Sequence, residues 1–155
     1  VNGALVQSTN ILEGPIDAPA LSKLGTYALY NAGDTWTDYR LTATLSAPDN
    51  DEYGLMFRVS GGDYYRFSWN AQHGYQRLVK SVNGVFTLLD ERTEGFALHT
   101  AHQVEISAVG SQLEVKINGV VTLSAADAEL AGGSVALYTW AQAGASFDNV
   151  RVVSE

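Results

Sequence analysis

The chain has no cysteine. Disulfide frameworks, Cys-ligated zinc and thiol catalysis are therefore excluded. It has only 3 Pro in 155 residues, and only 9 Lys and Arg against 17 Asp and Glu, for a formal charge of −8. Binding to nucleic acid or anionic membranes draws on a Lys/Arg surface that releases counterions, so a net acidic chain argues against both. No apolar run approaches the ~20 residues of a membrane span, so membrane insertion is not expected. Charged residues make up only 17% and hydrophobic residues 46%, a globular rather than a disordered composition. A chain of this size buries about two-thirds of its extended surface on folding, enough for a core without covalent staples.

What is present is period-2 alternation. Tyr39, Leu41, Ala43 and Leu45 alternate with Arg40, Thr42 and Thr44, and Val104, Ile106 and Ala108 alternate with Gln103, Glu105 and Ser107. Leu113, Val115 and Ile117 do the same against Gln112, Glu114 and Lys116. Each run is a strand with one face on a core. Asn83-Gly84 and Asn118-Gly119 separate such runs, and Asn-Gly suits the positive φ angles of a type I′ hairpin. Gly61-Gly62-Asp63 predicts a slightly longer loop and Gly110-Ser111 a two-residue reversal. Helical character is confined to 125–130. Roughly ten to twelve strands at a spacing of about ten residues predict an all-β, two-sheet antiparallel β-sandwich. Residues 1–155 read as a single module cut from a longer protein.

The order of motifs carries a resemblance. Asn2-Gly3-Ala4-Leu5-Val6-Gln7-Ser8 is followed by Gly25–Tyr30, Trp36–Leu41, Gly54–Val59 and Tyr64–Trp69, and the chain closes with Gly133–Tyr138 and Phe147–Val152. This resembles the concanavalin A-like, laminin-G-like jelly rolls of secreted bacterial polysaccharide-degrading enzymes and adhesins, over nearly the whole chain. The resemblance implies a jelly-roll fold and a non-catalytic carbohydrate-binding module. It implies a secreted, extracellular module, monomeric and tethered to a catalytic or adhesive domain, with a poly- or oligosaccharide as partner. Two alternatives stay open: a laminin-G-like protein-interaction domain, and a small polysaccharide lyase or glycoside hydrolase.

Catalytic patterns are sparse. Glycosidases need two carboxylates flanking the scissile bond, and the Glu-x-Asp-x-x-Glu pattern of jelly-roll glucanases does not occur. Asp49-Asn50-Asp51-Glu52 and Asp90–Glu94 read as solvated loops, and His73, His99 and His102 as surface residues. The ingredients of a lyase, Tyr64, Arg66, Arg77 and His73, are all present. These features favour a binding module over an enzyme.

Sugar rings stack on aromatic side chains and their hydroxyls bond to planar polar groups. The 3 Trp, 8 Tyr and 5 Phe cluster between Tyr53 and Phe86, interleaved with Arg58, Arg66 and Arg77. Alternation sends Leu55, Phe57 and Val59 inward with Tyr65, Phe67 and Trp69. It leaves Met56, Arg58, Tyr64, Arg66, Ser68 and Asn70 outward. In the next strand either Gln76 or Arg77 joins them, because a one-residue slip exchanges the faces. The expected carbohydrate-binding set is Arg58, Tyr64, Arg66, Gln76, Arg77 and Trp140, with Trp140 either a stacking platform or a plug over the core edge. Asp148 falls on the core face with Val150 and Val152, where a carboxylate needs a partner. Similar jelly rolls pair such an Asp with an N-terminal loop acid around a structural calcium, which implicates Glu13. Backbone donors or an Arg would satisfy Asp148 equally well.

Overall fold

The computed structural model describes residues 3–12 and 20–155. Twelve strands follow in chain order: β1 (Leu5–Val6), β2 (Thr26–Leu29), β3 (Tyr39–Ser46), β4 (Glu52–Ser60), β5 (Asp63–Asn70) and β6 (Tyr75–Val82), then β7 (Val85–Arg92), β8 (His102–Val109), β9 (Gln112–Ile117), β10 (Val120–Ala126), β11 (Ser134–Trp140) and β12 (Ser146–Ser154). They form two six-stranded sheets, β1-β12-β3-β8-β9-β10 and β2-β11-β4-β5-β6-β7. Every paired neighbour is antiparallel. Described residues 125 and 126 end β10 rather than starting a helix.

Alternation sets the inner faces. Leu41, Ala43 and Leu45 of β3, Val104 and Ile106 of β8, and Leu113 and Val115 of β9 meet Leu55, Phe57, Tyr65, Phe67, Trp69 and Leu78 of the other sheet in one core. The Asn-Gly hairpins form as their sequence requires, with φ of 51° at Asn83, 74° at Gly84, 49° at Asn118 and 84° at Gly119. Gly61-Gly62 is a tighter turn than expected, since Ser60 pairs directly with Asp63.

Two bulges overturn two expected faces. β4 and β5 lose register between Phe57 and Ser60, and Arg58 takes φ 48°. A bulge adds a residue and inverts the alternation beyond it. Val59 therefore joins the outer cluster with Met56 and Tyr64, while the Arg58 side chain turns inward. The second bulge lies between Asp148 and Arg151, with Asn149 at φ 51°. Phe147 is thereby in the core and Asp148 is exposed, the reverse of the expectation.

Candidate functional site

Strands β4 and β5 are buried along almost their whole length. A strand covered on both faces must be covered by something other than the opposing sheet. Here the outer face of the β2–β7 sheet carries a second cluster, Met56, Val59, Tyr64, Ala136, Tyr138, Trp140 and Ala141. Cross-strand pairing fixes its polar members. Arg66 lies opposite Met56 and Val79, Ser68 opposite Gly54 and Arg77, and Asn70 opposite Glu52 and Tyr75. Tyr138 and Trp140 lie opposite Gly54 and Glu52. Opposed residues point the same way, so these side chains form one surface. Gly54 sits at its centre because an added Cβ would come 1.9 Å from the Phe67 carbonyl oxygen.

An irregular strap, 20–24, crosses this surface. Arg66 donates one Nη to the Lys23 carbonyl at 2.6 Å and the other to the Leu21 carbonyl at 2.8 Å. Tyr138 donates to the same Lys23 carbonyl at 2.8 Å. The Lys23 side chain, 0% exposed, places Nζ 3.2 Å from the Tyr75 hydroxyl, 3.7 Å from Glu52 and 4.2 Å from the centre of the Trp140 ring. Tyr75 donates a short hydrogen bond to Glu52, and Tyr138 reaches the other Glu52 oxygen at 3.4 Å. Arg77 stacks its guanidinium 3.8 Å from the Tyr75 ring centre and bonds Glu91 at 2.5 Å.

Burial dominates the electrostatics. Desolvation pulls the Lys23 ammonium below its ordinary value, with Glu52 opposing it. Burial works against the Arg66 charge, but Tyr138 and Glu52 outweigh it and hold the guanidinium pKa up. Desolvation and the Glu52 carboxylate push the Tyr75 hydroxyl up. Desolvation likewise pushes Tyr138 up. Both phenols therefore stay neutral donors at neutral pH. Three donors along β5 have no partner although their residues are buried: Arg66 Nε, Ser68 Oγ and Asn70 Nδ2. They recur every second residue on one face, so they repeat about every 7 Å.

Of the expected binding residues, Tyr64, Arg66 and Arg77 share this face, and Trp140 belongs to it as a buried ring beneath Lys23 rather than an exposed platform. Gln76 does not, because it pairs with Trp69 on the inner face. Nor does Arg58. Its guanidinium bonds the carbonyls of Thr37, Gly110 and Leu130 at 2.9–3.2 Å, and its backbone N–H bonds the Tyr39 hydroxyl at 2.7 Å. It ties β4 to loops of the opposite sheet. Glu52, read as a loop carboxylate, opens β4 and is 1% exposed. His102, read as a surface residue, is buried against Trp69 with ring centres 4.8 Å apart. Lys23, Glu52 and Tyr138 were not anticipated. The near-continuous apolar run 53–59, which is what a strand covered on both faces looks like, signals a covered outer face.

The structure describes only one of the two expected calcium ligands. Asp148 is exposed and its Oδ1 accepts the neighbouring Asn149 N–H at 2.7 Å. Glu13 lies outside the described residues. Among the described residues no group of three or more His, Asp or Glu is placed to hold a metal ion.

Two six-stranded antiparallel layers with a polar, ring-lined outer face define a jelly-roll β-sandwich. Residues 1–153 match the family described as the 3-keto-alpha-glucoside-1,2-lyase-like domain, and the chain belongs to that family. The carbohydrate-binding module CBM66 of Bacillus subtilis is similar in structure, with a TM-score of 0.75 at 20% identity over 83% of this chain and 81% of that one. A galectin of Caenorhabditis elegans superposes with a TM-score of 0.67 at 13% identity, covering 83% and 90%. A beta-fructofuranosidase of Aspergillus kawachii gives 0.64 at 15% identity, covering 99% of this chain and 27% of that one. No curated protein matches in sequence.

Proposed function

We propose that this domain binds a poly- or oligosaccharide on the outer face of the β2–β7 sheet. The observation that carries the reading is the row of unpartnered buried donors on Arg66, Ser68 and Asn70 beside the rings of Tyr75, Tyr138 and Trp140. A buried donor without an acceptor costs about 1–3 kcal/mol, and native proteins keep few of them. Sugar hydroxyl oxygens supply the acceptors, and the C–H faces of the ring suit the aromatic neighbours. The sugar-binding proteins among the structural neighbours support the reading. We place the module outside the cell, monomeric and tethered to a catalytic or adhesive domain.

A glycan array followed by calorimetry tests it. Ser68→Ala removes a hydroxyl that does nothing for the free protein, so melting stays unchanged while affinity falls about fivefold to tenfold, the worth of one hydrogen bond. Saccharide affinity unchanged in both Ser68→Ala and Asn70→Ala would refute this placement.

The family description favours a second reading, elimination across C1–C2 of a 3-keto glucoside. The ketone acidifies the C2–H. The Glu52 carboxylate takes that proton, the C1–O bond breaks with its electrons on the leaving oxygen, and a C1=C2 bond forms in conjugation with the ketone. Tyr75, bonded to Glu52, is the donor for the departing alkoxide. Enone absorbance appearing from a 3-keto disaccharide, and vanishing in Glu52→Gln, would establish this reading over simple binding.

A further inference from the structure

The strap has an unusual mode of attachment. No backbone–backbone hydrogen bond ties 20–24 to either sheet among the described residues. It is held by side chains of the sheet that grip its carbonyls, Arg66 on Leu21 and Lys23 and Tyr138 on Lys23, and by its own Lys23 ammonium on Tyr75 and Glu52. It can therefore lift without breaking a ladder bond. It also covers the face without completing it, since Arg66 keeps Nε unpartnered while the Leu21 and Lys23 carbonyls hold its Nη groups. A cover that never left would be expected to satisfy what it buries. Immediately after it, Gly25 lies at φ 61°, with the place of its missing Cβ only 2.2 Å from the Thr139 carbonyl oxygen. That glycine pins one end of the strap to β11 while the rest stays irregular.

We propose that the 20–24 strap is a lid that competes with saccharide for the outer face. Its two carbonyl oxygens occupy the Arg66 positions that ligand oxygens take, and Lys23 occupies the Trp140 ring face that a sugar ring takes. The proposal rests on the saccharide reading above and adds its regulation. Observed affinity is the intrinsic affinity multiplied by the fraction of molecules with the lid open, so weakening the lid strengthens binding.

The lysines of the chain are Lys23, Lys80 and Lys116, which makes amine labelling with mass-spectrometric readout simple. The protein is labelled by reductive methylation with and without an equimolar pool of fructo-, gluco- and galacto-oligosaccharides, with calorimetry on the same samples. The half-exposed Lys116 serves as the reference. The lid predicts that Lys23 labels under native conditions more slowly than Lys116, that the pool accelerates Lys23 labelling, and that Lys23→Met binds the pool about tenfold more tightly. A pool that binds by calorimetry but slows Lys23 labelling or leaves it unchanged overturns the lid and leaves the saccharide reading standing. Equal or weaker binding by Lys23→Met does the same. A pool that binds neither protein overturns both, and calorimetry separates that result from the others.

Discussion

Replacing Arg58 by Met separates the residue that holds the sandwich together from those that meet a ligand. Arg58 is 0% exposed. Its guanidinium serves three carbonyls, on Thr37, Gly110 and Leu130, and lies 3.4 Å from the Asp38 carboxylate. Methionine keeps most of the stem packing and removes every one of these bonds. Each lost bond from a buried cation is worth roughly 1.5 kcal/mol, and the carbonyls regain part of this from water because their loops are at the surface. The net loss is about 3–4 kcal/mol. At 2–4 °C per kcal/mol for a chain of this length, Tm falls by roughly 10 °C. Below the new transition, saccharide affinity by calorimetry matches the parent protein. A variant that melts normally and has lost binding would mean that Arg58 faces the ligand and that the bulge has been misread.

Other perturbations follow from single contacts. Burial would raise the Asp127 carboxyl, but hydrogen bonds from Lys80 and Tyr65 outweigh it and hold it below its ordinary 3.8. A depressed folded value gives stability that is present above pH 3.8 and lost as pH falls below it, so the acid limb of a melting-versus-pH curve is shallower below that point in Asp127→Asn. Gly54→Ala drives a Cβ to 1.9 Å from backbone oxygen, which costs more than about 3 kcal/mol and shows as a large drop in urea midpoint or as insoluble protein. A chelator leaves Tm unchanged, because Asp148 is exposed and bonded to its own neighbour. A calcium-dependent rise in Tm would contradict that.

Much of the fold is legible in the chain because alternation and turn chemistry are local. β3, β8 and β9 place their apolar residues on one face as written, and the Asn-Gly pairs take the φ angles they are suited to. The site is only partly legible. Tyr64, Arg66, Ser68 and Asn70 follow from the period of β5 alone. Arg58 and Asp148 do not, because each lies at a bulge whose positive-φ residue is Arg or Asn rather than the glycine that announces such a conformation. Counting by twos through a bulge puts every later side chain on the wrong face. Lys23 and Glu52 escape for a different reason. Their partners are at least 23 residues away, and nothing local distinguishes a loop lysine in water from one laid across a tryptophan.

The inward turn of Arg58 also divides labour along the molecule. Glu52 and Arg58 stand six residues apart on β4, about 20 Å in an extended chain. The clasp thus anchors one end of the sandwich, while the loops beside Glu52, Asn70 and Trp140 are grouped at the other. Those loops can be lengthened, exchanged or randomised without touching the fastening that keeps the layers joined, which makes the domain a scaffold whose rim can change while its architecture stays put.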